Sequence, residues 1–287
     1  MLRIAVPNKG SLAEPASAML QEAGYRQRKD HRELVLVDSA NGVEFFFLRP
    51  RDIAVYVGSG QLDIGITGRD LLLDSGAAAE EIMQLGFAAS TFRYATRPGT
   101  ARSVHDFEGK TVATSFSGLV TKHLADNGVN ASVVHLDGAV ETAIQLGVAE
   151  IIADVVETGT TLRNAGLEVV GEPILHSEAV VIRPSAGVTE RERPKEAKVQ
   201  QFLRRMQGVL VARRYVMMDY DIRVESVEKA IAVTPGLESP TVSPLHDKGW
   251  VAVRAMVLAS EAQRIMDDLY DLGARAILTT GIHACRL

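Results

Sequence analysis

From residue 1 to about 183 the chain alternates short apolar runs with amphipathic segments, and this alternation restricts its possible folds more than any other feature. The pattern predicts strands over 3–7, 43–48, 62–67, 111–115, 132–136 and 150–156. Between them it predicts helices over 12–23, 51–58, 69–74, 119–127, 139–146 and 162–165. Strands alternating with helices make a mostly parallel sheet covered on both faces. The layout recurs along the chain. Gly60-Gln-Leu-Asp63-Ile is matched by Gly147-Val-Ala-Glu150-Ile, each a helix-closing glycine, two residues, an acid and a buried strand. Because α/β units resemble one another in general, coincidence is the competing explanation. Read as a repeat, the pattern gives two α/β lobes facing across a cleft at the carboxyl ends of their strands, where open sheets bind ligands.

Residues 184–200 are polar and Pro-punctuated, and 200–210 reads as a helix. From 215 onward the order is β-α-β-β-α-β, with strands over 215–222, 241–245, 250–257 and 274–285 and helices over 225–232 and 261–272. This is a ferredoxin-like unit. The expected organisation is lobe I over 1–90, completed by about 184–210, lobe II over 91–183 with the phosphate loop, and a C-terminal domain over 211–287.

The end of the 150–156 run carries the chemistry. Glu157-Thr-Gly-Thr-Thr161 breaks the strand and opens a helix, so unpaired helical amides, the freedom of Gly159 and the hydroxyls of Thr158, Thr160 and Thr161 form a phosphate cradle. Asp154, just before the turn, can reach sugar hydroxyls. A phosphorylated ribose asks for this combination, although an ordinary strand-to-helix turn capped by Thr has the same outline. In Pro7-Asn8-Lys9-Gly10-Ser11, Lys9 can pair with phosphate beside the donors of Gly10 and Ser11; a solvated lysine fits equally well. Arg49 and Arg51 flank Pro50 at another strand end, one reading as a phosphate fork and the other as a surface charge.

Other classes lack support. The net charge is −5 with scattered basic residues, against nucleic-acid binding. No apolar stretch approaches about 18 residues, so no membrane span is expected, and the opening Met-Leu-Arg-Ile-Ala-Val-Pro lacks a signal peptide's core. The single cysteine, Cys285, fits a reducing cytoplasm and reads as a buried residue of the last strand. The 7 histidines show no metal-ligand spacing, and no G-x-S-x-G elbow is present.

Taken in order, Val6-Pro-Asn-Lys-Gly10, Leu48-Arg-Pro50, Gly65-Ile-Thr-Gly-Arg-Asp70, Asp154-Val-Val-Glu-Thr-Gly-Thr-Thr-Leu162 and Thr234-Pro-Gly-Leu-Glu-Ser-Pro-Thr241 resemble the long form of ATP phosphoribosyltransferase, the family that opens histidine biosynthesis. The resemblance covers essentially the whole chain. It implies two periplasmic-binding-protein-like lobes, a C-terminal regulatory domain similar to the ACT/PII group, Mg²⁺ dependence, feedback inhibition by L-histidine, and dimers that assemble into hexamers. Lys9, Arg49 and Asp154 are the implied catalytic residues; Lys9, Gly10 and Arg49 meet ATP. Asp154, Glu157, Thr158, Gly159, Thr160 and Thr161 meet 5-phosphoribosyl 1-diphosphate. Histidine falls to Asp221, Leu237, Ser239, Thr241 and Ala276. The protein alone holds no metal in this scheme; Mg²⁺ rides on the substrate diphosphate.

Two other classes share parts of this outline. A cytosolic solute-binding protein has the cleft but no use for a C-terminal sensor. A prephenate-dehydratase-like enzyme has similar lobes and an ACT tail, yet its Thr-Arg-Phe triplet is missing; Thr91-Phe-Arg93 has the residues in another order. Phosphoribosyltransferases of the common Rossmann-like type carry two adjacent acids before the loop, whereas here Ala153 precedes Asp154.

Overall fold

The computed structural model describes residues 1–30, 32–156, 159–185 and 193–286. The chain forms two compact units, Met1–Gln21 with Tyr25–Val199, and Glu22–Gly24 with Gln200–Leu287. The first begins β1 (Leu2–Pro7), α1 (Ala13–Glu22), β2 (Val35–Asp38), β3 (Val43–Leu48), α2 (Pro50–Gly58), β4 (Ile64–Gly68), α3 (Arg69–Ser75) and β5 (Ala79–Gln84). It continues with β6 (Ser90–Thr96), β7 (Thr111–Thr114), α4 (Ser117–Asp126), β8 (Ser132–His135), α5 (Thr142–Gln145) and β9 (Ile151–Val156). Then come α6 (Thr160–Asn164), β10 (Glu168–Ser177) and β11 (Ala179–Pro184), and α7 (Arg193–Arg214) runs from the first unit into the second after Val199.

These strands make two sheets of matching design. In the first the order is β2-β3-β1-β4-β11-β5, and in the second β10-β6-β9-β7-β8. Each contains three adjacent parallel strands, β3-β1-β4 in the first and β8-β7-β9 at one side of the second. Each is extended by an antiparallel strand that has crossed from the other lobe. β6 pairs with β9, and β11 pairs with β4 and β5. The second lobe therefore ends near Ser177. A boundary at 183 is corrected here, since β11 lies in the first sheet. The helix expected over 200–210 is longer, Arg193–Arg214.

The acid of the sequence repeat has the same structural task in both lobes. Asp63 accepts the Arg3 amide at 2.7 Å and returns its own amide to the Arg3 carbonyl at 2.9 Å. Glu150 accepts the Thr111 amide at 2.9 Å and donates to the Thr111 carbonyl at 3.2 Å. Each carboxylate pins the start of the central strand to its neighbour, before the buried run begins.

The second unit completes β12 (Tyr215–Arg223), α8 (Val227–Val233), β13 (Thr241–Pro244), β14 (Trp250–Leu258), α9 (Ala262–Asp271) and β15 (Arg275–Gly281). Its order β13-β14-β12-β15, antiparallel throughout, is the ferredoxin-like arrangement. Met218, Tyr220 and Ile222 alternate into a core with Val253, Ile265 and Leu269. The last strand stops at Gly281, so Cys285 is partly exposed beyond it rather than buried within it. Among the described residues no helix is long and apolar enough to cross a membrane.

Candidate active site

The parallel strands of both lobes end on a common cleft. After β1 the chain gives Lys9, Gly10 and Ser11; after β3, Pro50; after β4, Asp70; after β7, Phe116; and these border one cavity of about 290 Å³. A second cavity of about 370 Å³ is lined by Glu141, Asp154, Gly159 and Thr161. Val155 borders both.

In the second cavity Asp154 stands on β9 above the turn into α6. Gly159 is the N-cap of α6 with φ 70° and ψ 7°, the left-handed conformation that favours glycine. Its position leaves room, because a Cβ there would come only to 3.8 Å from Val156. Thr160 and Thr161 are the first residues of α6, and Arg163 holds its guanidinium 3.3 Å from the Thr160 hydroxyl. Glu157 and Thr158 lie outside the described residues.

Burial pushes the Asp154 carboxyl up, and the neighbouring charges of Glu141 and Asp70 push it further; the Val155 amide, donating at 2.8 Å, opposes them. Asp70 is raised for the same first reason. Burial outweighs the Leu71 amide at 2.9 Å, the Ser177 hydroxyl and the charge of Arg51. The Asp70 carboxylate folds back over Gly68 so closely that a Cβ at Gly68 would lie 2.3 Å from Oδ1. The charges of Glu141 and Asp70 thus reach Asp154, and Arg51 offsets them only at Asp70, which suits a site for a sugar's hydroxyls and a divalent ion held by substrate oxygens. Among the described residues no three His, Cys, Asp or Glu side chains form a metal-binding set.

Lys9 and Gly10 border the first cavity, and Asn8 Oδ1 behind them is buried without a hydrogen-bond partner among the described residues. Arg49 is exposed at the N-cap of α2. Arg51, the alternative fork, is committed to Asp74 at 2.7 Å. Arg69 ties the lobe crossings together through Glu81 at 2.8 Å, the His176 carbonyl at 2.9 Å and Glu178 at 3.4 Å. Glu141, Asp70 and Arg163 were not assigned from sequence. The missing second acid before Asp154 was the available signal for Glu141, a carboxylate that arrives from another segment.

Comparison with known proteins decides what this cleft belongs to. The family described as ATP phosphoribosyltransferase matches residues 49–208, and its C-terminal domain matches 212–284. The ATP phosphoribosyltransferases of Streptomyces coelicolor and Pseudarthrobacter chlorophenolicus are 75% and 67% identical to the chain over 287 residues, covering 100% of both partners in each case. The chain belongs to the ATP phosphoribosyltransferase family. A chain of the ATP phosphoribosyl transferase (HisG:HisZ) complex from Thermotoga maritima superposes with a TM-score of 0.62 at 26% identity, over 73% of this chain and 98% of that one. Membership sets aside the dehydratase and solute-binding readings.

The C-terminal domain carries the residues that the sequence resemblance gives to histidine. The face opposite the α8–α9 core carries Asp221 and Thr241, which alternate with the buried positions. Asp221 pairs with Arg275 across a bulge that contains Ala276, whose φ of 50° is left-handed for a non-glycine residue. Thr241 pairs with Arg254 on β14, two strands from β12 and so about 10 Å away. Within one chain the five expected residues therefore form two groups, Asp221 with Ala276, and the loop from Leu237 through Ser239 to Thr241. Gly236, at φ 75°, packs the loop on itself, since a Cβ there would meet the Ser239 backbone at 3.2 Å. The Thr234 hydroxyl anchors its start to Tyr220 at 2.7 Å.

Proposed function

We propose that the two cavities divide the substrates of ATP phosphoribosyl transfer, the opening step of histidine biosynthesis. 5-Phosphoribosyl 1-diphosphate occupies the Glu141–Asp154–Thr161 cavity, and ATP lies across the Lys9–Ser11 wall. The carrying observation is the meeting, in one cavity, of two carboxylates and a left-handed Gly159 turn opening a helix. The turn suits the 5-phosphate and the carboxylates suit the ribose hydroxyls. Lys9, with Arg49 from the neighbouring strand end, neutralises charge leaving with the diphosphate.

In this scheme N1 of adenine attacks C1 of the ribose as the diphosphate departs, with inversion. The transition state gathers positive charge on the sugar, which the nearby carboxylates favour. No covalent nucleophile is needed, and the protein aligns two reactants. Mg²⁺, when bound, would screen the diphosphate and would be held mainly by substrate oxygens and water, with Glu141 and Asp154 as the acidic side chains of that cavity. The regulatory proposal is that free L-histidine binds the outer face of the C-terminal sheet, with Asp221 and Ala276 as its anchor, in a dimer-to-hexamer assembly in the cytoplasm. A coupled assay with ATP, phosphoribosyl diphosphate and Mg²⁺ tests the division, following the adduct's near-ultraviolet absorbance in wild type and in Asp154 and Lys9 variants. Undiminished phosphoribosyl diphosphate affinity in Asp154→Asn would remove the ribose assignment.

A further inference from the structure

Apart from the chain crossings, the lobes of the first unit are joined where the end of α3 meets the start of α4. Asp74, its side chain 10% exposed, stands between them. One carboxylate oxygen accepts the amides of Gly118 at 2.9 Å and Leu119 at 3.1 Å. The other accepts from Arg51 at 2.7 Å, and that guanidinium lies 4.8 Å above the Phe116 ring. The fit excludes a larger residue, because a Cβ at Gly118 would sit 2.2 Å from the Asp74 carbonyl oxygen.

Among the described residues helix α4 has no side-chain cap from its own lobe. Phe116 at its N-cap makes no side-chain capping bond, so its first amides are satisfied by a carboxylate of the opposite lobe. Phe116 itself borders the cleft together with Asp70 and Leu71 of α3. The bonds that cap α4 and the spacing of the cleft walls are therefore one and the same set.

We propose that Asp74 is a positioning residue for phosphoribosyl transfer, a helix cap supplied in trans that holds α4 on α3 and sets the separation of the two substrate walls. It acts through Gly118, Leu119 and Arg51 and touches no substrate. The inference rests on the reading that the substrates bind across this cleft. Loss of the cap shifts the joined-to-parted ratio of the lobes by roughly three- to thirtyfold, the size of a lost N-cap. Substrates that bind only the joined form must then draw it from a smaller population.

The test is steady-state kinetics of Asp74→Ala and the milder Asp74→Asn, which keeps an acceptor oxygen for the amides. It is combined with spin-label distances between Glu14→Cys and Val148→Cys in a Cys285→Ser background. The expected result is a rise in KM for both substrates together by up to that factor, with kcat within about twofold of wild type. Asp74→Asn should be intermediate, and the distance distribution of the substrate-free protein should broaden. A loss of kcat at unchanged KM would mean only that folded enzyme was lost, and would overturn the proposal. An unchanged distance distribution overturns the cap and leaves the cleft reading intact. A broadened distribution with unmoved KM values overturns it from the other side, by showing that the substrates do not span the lobes.

Discussion

Asp154→Asn should stabilise the substrate-free protein and weaken it as an enzyme, and the two effects share one cause. Burial and the charges of Glu141 and Asp70 disfavour the carboxylate, against a single amide at 2.8 Å. Asparagine keeps an oxygen for that amide and discards the charge. Single stabilising substitutions commonly add about 0.5–2 kcal/mol, which is about 2–4 °C in Tm for each kcal/mol in a domain of this size. The sign with pH is definite. A carboxyl raised on folding binds more protons in the folded chain, so wild type loses stability as pH climbs from the unfolded Asp value, about 3.9, through the raised one. The mutant escapes that loss. Its advantage should grow as pH rises through the raised value and should shrink as pH falls toward about 4. Phosphoribosyl diphosphate affinity moves the other way. A hydrogen bond to a charged acceptor contributes about 1.5–3 kcal/mol, so binding should weaken by about ten- to a hundredfold. Urea unfolding at matched protein concentration from pH 4.5 to 8, with calorimetry of the sugar substrate plus Mg²⁺, reads both. A mutant no more stable than wild type at pH 7, or one whose advantage is the same at pH 4.5, would refute the reasoning.

Gly159→Val should keep the fold, since a Cβ there meets Val156 only at an ordinary contact distance of 3.8 Å. It should still cost at least tenfold in phosphoribosyl diphosphate affinity, about 1.4 kcal/mol, by forcing a branched residue into a left-handed turn; calorimetry decides. Glu141→Gln removes a charge that raises Asp154, so the pH dependence of KM for the sugar substrate should shift to lower pH, and a profile unmoved from wild type counts against the carboxylate pair. Asp221→Ala should raise the histidine concentration for half-inhibition at least tenfold, about 1.4 kcal/mol of lost binding. Inhibition at full strength would show that the anchor lies elsewhere on the sheet.

β1, β4, β7 and the first half of β9 were legible because central parallel strands are buried on both faces and read as continuous apolar runs. The strands the alternation did not announce, β2, β5, β6, β10 and β11, are all antiparallel to their neighbours. β5 reads Ala-Glu-Glu-Ile-Met-Gln, with too little apolar surface to stand out, and β10 contains Gly171 and Pro173 where its register with β6 shifts. β11 is fully apolar over Ala179–Ile182, but nothing local says which sheet will take it. The choice is made by the crossing at Ser177–Glu178, where the Arg69 clamp closes. Asp154 and the turn after it were legible because neighbours in sequence build that site. Glu141 and Asp70 were not, because the fold alone brings them beside Asp154.

The same limit explains three alanines. Ala88, Ala139 and Ala276 are the non-glycine residues with positive φ among those described, at 54°, 46° and 50°. An L-residue in that conformation costs about 1–2 kcal/mol and persists where its surroundings impose it. Ala88 borders the cleft beside a lobe crossing, Ala139 lies in the turn that leads to Glu141, and Ala276 sits in the bulge facing Asp221. Each of these turns adjoins the cleft or a carboxylate proposed to bind a ligand. Because alanine has no compositional signature for a left-handed turn, the sequence could not mark these positions, although their neighbours Asp154 and Asp221 were already candidates. The strain and the crowded carboxylates point to the same structural logic: the cleft and the C-terminal sheet are held in shapes that the chain alone does not favour and that a bound anion, ribose or amino acid would stabilise.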